Sequence, residues 1–167
     1  SRIYELSVVD KPNKKMPYQP SFRHLTNILQ IYEKNVEEAV SHYKNQFKTK
    51  FDEERFRLRA KCALHWLAEY APDDMTFKVQ SVVADNIDIT DKERKALKKV
   101  AEVLETVDDE VKLHNKFYDI AKEEGIEVKN FFKAAYTLLI EKEKGPKLAN
   151  FIFTIGKDKV KKLFDQL

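Results

Sequence analysis

An all-α fold is predicted by three features of this 167-residue chain: only three glycines and five prolines, 35% charged residues, and apolar side chains recurring at helical spacing in one segment after another. Abundant Lys, Glu, Leu and Ala favour helix, whereas a sheet protein would need many more turn residues. No heptad register lasts long enough for a coiled coil, and no internal repeat is visible. The predicted architecture is therefore about seven helices in a compact orthogonal bundle or helical cage, with one short extended segment.

Residues 1–19 hold Pro12, Pro17 and the Lys14-Lys15 pair and read as a connector. Pro20 suits the first turn of a helix carrying Phe22, Leu25, Ile28, Leu29 and Tyr32 on one face. A second helix, with Asn35 as its cap, repeats the pattern through Val36, Ala39, Val40, Tyr43 and Phe47. A third runs from about Asp52 to Ala71 and buries Phe56, Ala60, Ala63, Leu64 and Leu67, with Trp66 and Tyr70 beside that face. Ala71-Pro72 ends it, and the alternation of Met75, Phe77 and Val79 predicts an extended segment lacing across the helices.

Thr90 and Glu93 form a capping box ahead of a stripe of Leu97, Val100, Ala101, Leu104 and Val107. Asp108 and Asp109 start the next helix, which buries Leu113, Phe117, Ile120 and Ala121 and stops at a left-handed Gly125. Phe131, Phe132, Ala135, Leu138 and Leu139 make one broad face of the following helix, which Gly145 and Pro146 are predicted to stop. Leu148, Phe151 and Ile152 open a short apolar segment ending at Gly156, and residues 157–167 form a basic last helix with four lysines. These boundaries divide the chain into a connector (1–19), an N-terminal helical subdomain (20–85) and a C-terminal helical cage (86–167).

A composition of 43% apolar residues is enough for a buried core, and no run of about 18 apolar residues exists to cross a bilayer, so no membrane partner is expected. The lone Cys62 cannot form an internal disulfide, which predicts a reducing, cytoplasmic setting. Net charge is only +3, but its distribution is uneven: Lys and Arg outnumber Asp and Glu by 14 to 11 in residues 1–83 and by 9 to 4 in residues 129–167, while residues 84–128 are acidic, 8 against 13. Basic ends around an acidic middle would orient the molecule on a polyanion.

No catalytic constellation is legible. The chain lacks a G-x-S-x-G elbow, a Walker loop and a G-x-G-x-x-G fingerprint, and its paired carboxylates sit where helix caps and solvated faces are expected. Cys62 and His65 share a helix side, but two ligands do not close a zinc site, so no metal is predicted and Cys62 is read as a buried core residue. In the arginine run 55–61, Arg55 and Arg59 share one side of the helix while Arg57 and Lys61 share the other. Arg55 and Arg59, farther from the core line, are the candidate phosphate contacts, and the other pair is expected to meet Glu53, Glu54 or solvent. Lys129, Lys133 and Tyr136 offer cations beside a ring, the pattern that holds an unstacked base together with its phosphate, although a tyrosine there can also close the edge of a core. Lys142, Lys144 and Lys147 cluster at the Gly-Pro corner, where lysines also offset the helix dipole.

The segments FFKAAY, EKGPKLANFI and GKDKVKKL, in that order, together with RIYELS and MPYQPSFRHLTNILQ near the N-terminus, resemble the C-terminal region of class I lysyl-tRNA synthetases. The resemblance spans nearly the whole chain. It implies a helical cage that approaches the anticodon arm of a lysine tRNA, with Lys147, Asn150 and Phe151 of the GPKLANF motif as candidate contacts and Asn150 as the amide reader. It also implies that ATP and lysine are handled by a catalytic half in the intact enzyme, a second partner of this module; neither a HIGH-like nor a KMSKS-like element occurs in the 167 residues, and no cofactor or independent activity is expected of them. The alternative reading is a helical scaffold that docks on protein through Phe22, Tyr32 or Trp66, without direct RNA readout.

Overall fold

The computed structural model describes residues 16–84 and 86–167. The connector and the RIYELS segment fall outside the described residues up to position 15. Eight α-helices and no strands occur among the described residues: α1 (Phe22–Ile31), α2 (Val36–Tyr43), α3 (Lys50–Glu69), α4 (Asp91–Thr106), α5 (Glu110–Glu123), α6 (Val128–Ile140), α7 (Leu148–Ile155) and α8 (Lys157–Phe164). The all-α prediction holds, and the short apolar segment before Gly156 is itself a helix, α7.

Local chemistry sets most boundaries. Ser21 caps α1 by accepting from the His24 amide at 3.3 Å, which places Pro20 just ahead of the helix rather than within its first turn. Asn35 caps α2 through the amides of Glu37 and Glu38. Reciprocal capping boxes start α3 at Thr49–Asp52 and α4 at Thr90–Glu93. Gly125, at φ +64°, closes α5: its amide reaches the Lys122 carbonyl while that of Ile126 reaches the Ala121 carbonyl, the paired pattern of a Schellman motif. The stop of α6 differs from the prediction. The helix ends at Ile140, where Glu141 turns left-handed at φ 54°, several residues ahead of Gly145 and Pro146.

Two clusters of buried residues result. The N-terminal one joins α1, α2 and α3 through Leu25, Ile28, Leu29, Tyr43, Phe56 and Ala60. The larger one is built on α4, which packs along α5, α6 and α8, and is filled by large side chains such as Phe117, Phe131, Phe151 and Phe164. The extended segment after α3 laces between them: Phe77, Val79 and Val83 pack on the C-terminal cluster, and the Gln80 amide donates to the Leu139 carbonyl at 2.8 Å. Gln30, buried in α1, staples the same segment by donating to the Met75 carbonyl at 3.2 Å and accepting from the Phe77 amide at 2.7 Å. One side chain thus satisfies backbone groups that no ladder pairs.

Candidate nucleic-acid interface

The exposed side of α6 carries Lys129 and Lys133 as predicted, but not the ring beside them. Tyr136 is 8% exposed and its hydroxyl donates to the Pro146 carbonyl; burial pushes that hydroxyl up to about 12. It closes the core edge beneath the Gly-Pro corner and has no face to offer a base. Gly145 belongs to the same contact, because a Cβ there would lie 2.7 Å from the Tyr136 ring. Lys133 reaches Glu143 at 2.6 Å, a pairing that raises the ammonium and lowers the carboxyl from their ordinary ranges.

Phe151, a candidate contact of the GPKLANF motif, has no face to offer RNA either. It is 1% exposed and meets Phe77 edge-on at 5.5 Å, because position 151 lies on the inward stripe of α7. Asn150 is half-buried, with its amide nitrogen donating to Glu110 at 2.9 Å; it stands at the interface of α7 with α5. Lys144 and Lys147 are exposed on either side of the corner.

On α3, Arg57 is held by Glu53 at 2.8 Å and by Glu37, and both hydrogen bonds raise its pKa, that to Glu37 the more. Arg59 donates to the Pro20 carbonyl at 2.6 Å, so it clips the incoming chain to the helix. Arg55 is exposed beside it. Of the predicted arginine pair, one is therefore occupied within the fold. Cys62 is exposed, contrary to the core position predicted, because it lies on the side of α3 turned away from Phe56, Ala60 and Ala63. Among the described residues no three His, Cys, Asp or Glu side chains gather as a metal site would require, and no helix is long and apolar enough to span a membrane.

A basic recess at the seam of the two clusters escaped the sequence reading. A cleft of about 330 Å³ is lined by Arg23 and Asn27 of α1, by Phe77, and by Lys142, Lys144 and Pro146. A neighbouring cleft of about 390 Å³ shares Phe77 and Lys142 and adds Lys34 and Lys78. Together the walls carry five cations, Arg23, Lys34, Lys78, Lys142 and Lys144, against the carboxylates of Asp74 and Glu141. Lys142 is positioned by the Asp73 carbonyl at 3.0 Å. No local run reveals the whole set: Lys142 and Lys144 share the Gly-Pro corner, but Arg23, Lys34 and Lys78 come to it from three other segments. Such a concave cationic surface is suited to phosphates, whose charge it neutralises while the backbone keeps a fixed register.

The family described as "Anticodon binding domain" matches residues 18–164. Similar proteins include the lysine–tRNA ligase of Borrelia garinii subsp. bavariensis, 40% identical over 97% of this chain and 31% of that protein. Those of Borreliella burgdorferi and Pyrococcus furiosus are 39% and 36% identical, over 97% and 94% of this chain and again 31% of each relative. The chain spans about a third of the length of these curated relatives.

Proposed function

The chain belongs to the anticodon-binding domain family, and from that premise we propose that it holds the anticodon arm of a lysine tRNA, with the seam recess gripping the sugar-phosphate backbone. The convergence of five cations on one concave surface carries this reading. Asn27 in the wall, and Asn150 and Lys147 at the corner, are the polar groups available for base edges and flanking phosphates. The relatives are lysine–tRNA ligases, and we assign the ATP-dependent activation of lysine to the two-thirds of their length that this chain does not span.

The test is binding of this chain to a lysine-tRNA anticodon stem-loop across a salt series, beside a stem-loop with substituted anticodon bases. Affinity should fall steeply with salt, and the pair Lys142→Gln and Lys144→Gln should weaken it while reducing the salt slope by about one per lost phosphate contact. Salt-insensitive binding, or a slope unchanged by both substitutions, would remove the recess from the interface.

A second surface supports the partner assigned to the same module, a catalytic half. On the side of α3 opposite its core stripe, Leu58 is 52% exposed next to Cys62, and the incoming chain is laid along this helix by the Tyr18 amide on Asp52 at 3.0 Å and by Arg59 on Pro20. Alkylation of Cys62 should be fast in this chain and slow in a protein that also carries the relatives' remaining length; equal rates would reject this face as the contact.

A further inference from the structure

Left-handed backbone is uncommon for residues that carry a β-carbon, and this chain gathers it at one place. Among the described residues three non-glycine positions have positive φ: Glu33 at 50°, Lys34 at 68° and Glu141 at 54°. Lys34 and Glu141 line the same cleft of about 390 Å³ in the recess, and Glu33 immediately precedes the first of them. Where the chain turns left-handed away from the recess, at positions 125 and 156, it uses glycine, with φ 64° and 104°. Side chains are thus retained at the left-handed positions that border the recess and dispensed with at those that do not.

The turn between α1 and α2 is the tighter of the two. The Glu33 amide donates to the Gln30 carbonyl at 3.1 Å and the Lys34 amide to the Leu29 carbonyl at 2.6 Å, the paired bonds of a Schellman motif with Glu33 where glycine is usual. The Asn35 amide then donates to the Tyr32 carbonyl at 2.8 Å and Asn35 caps α2, so only Glu33 and Lys34 stand between the caps of the two helices. Leu29 and Gln30 are buried, which anchors the turn from below. The Lys34 side chain is exposed, and among the described residues no ion pair holds it, so nothing in the fold repays its backbone conformation. Across the cleft Lys142 directly follows the left-handed Glu141, and its ammonium rests on the Asp73 carbonyl at 3.0 Å. Each core therefore delivers one cation to the shared cleft from a left-handed turn.

We propose that Lys34 is kept in a glycine's backbone conformation because the recess needs its charge, so that the turn positions a phosphate contact at a loss of stability. The proposal rests on the reading of the recess as the backbone grip and assigns one of its contacts. A side chain at a left-handed position confines the turn to fewer conformations than glycine allows, which keeps the ammonium aimed into the cleft although no partner holds it. Glycine or asparagine at position 34 would relax the backbone and lose the contact.

Four substitutions separate strain from charge. Lys34→Gly and Lys34→Asn relax the backbone and remove the charge, Lys34→Gln removes the charge alone, and Lys34→Arg keeps both. The glycine and asparagine variants should raise the urea midpoint by about 0.3 M, while the glutamine and arginine variants should leave it near the native value. Binding of the lysine-tRNA anticodon stem-loop should weaken about fivefold in the three neutral variants, with the salt slope lower by about one, and stay native in the arginine variant. Native affinity and slope in Lys34→Gln would overturn the proposal, as would a midpoint raised by neither Lys34→Gly nor Lys34→Asn. Loss of binding in Lys34→Arg equal to that in Lys34→Gln would show that shape rather than charge is used at this position, and would overturn it too. The recess is judged separately: a slope flattened by the pair Lys142→Gln and Lys144→Gln but not by Lys34→Gln rejects this contact and leaves the recess standing, and a slope that no variant moves rejects both.

Discussion

Tyr136 shows how one contact decides whether a residue serves the core or the surface. Its ring fills the space that Gly145 leaves, and its hydroxyl satisfies the Pro146 carbonyl at a turn where the backbone has no helical partner. Gly145→Ala should therefore destabilise the chain by about 1–3 kcal/mol through overpacking against the ring. Tyr136→Phe should cost about 1 kcal/mol, the net value of one hydrogen bond. Urea unfolding of each variant checks both, and the glycine variant should be the weaker. The helical wheel correctly placed Lys129 and Lys133 on the solvent side, but it could not tell a tyrosine open to solvent from one roofed by a loop ten residues on. Phe151 was offered as a contact on its motif alone, although it belongs with Leu148 and Ile152 to the apolar series that forms the inward stripe of α7. Cys62, by contrast, is exposed although its type favours burial, since it stands opposite the stripe that the wheel itself identified.

Among the elements, helix starts carry more of the specification than helix interiors. The Thr90–Glu93 box, the Asn35 cap and the Gly125 terminator were legible because each pairs a residue type with a fixed offset. Thr49–Asp52 was not, since it uses Asp at the third position inside a charged run, and the apolar pattern begins only after it. That missed cap does more than start a helix. Asp52 accepts from the amides of Tyr18 at 3.0 Å, Lys48 at 2.9 Å and Thr49 at 2.8 Å, and from the Thr49 hydroxyl, so it fastens the incoming chain to α3. These bonds, that from Tyr18 foremost, hold its carboxyl below the usual carboxylate range. A carboxylate depressed by folding adds stability that is complete above its unfolded value, about 3.9, and is lost as pH falls through its lowered folded value. The gap in urea midpoint between native chain and Asp52→Asn should thus be constant above about pH 5 and narrow below about pH 4. A gap that widens in acid would contradict the clamp. Thr90→Ala, at the cap that was legible, should cost about 1 kcal/mol without this pH dependence.

At the scale of the whole molecule, two unequal cores meet at one basic recess. Ten residues are buried in the N-terminal cluster and 24 in the C-terminal one, so the smaller should open at lower free energy. Amide exchange should accordingly be faster in the interiors of α1 and α3 than in those of α4 and α6. What joins the two is thin: Gln30 on the lacing segment, the packing of α1 on α7, and Ile31 against the larger core. The recess lies across this joint, taking Arg23 and Lys34 from one side and Lys142 and Lys144 from the other. A polyanion that touches both walls binds the docked arrangement better than an opened one, and by linkage it must stabilise the docked arrangement in proportion to that difference. Adding stem-loop RNA should then slow exchange in α1 and α3 toward the rates of the larger core, while α4, already held, changes little. Gln30→Leu removes the staple but no cation. It should speed exchange in α1 and weaken RNA binding several-fold with an unchanged salt slope, because the phosphate contacts survive and only the population able to make them falls. Uniform slowing across all helices, or a salt slope that flattens with Gln30→Leu, would show that the two cores already move as one unit and that the seam is merely where the cations happen to meet.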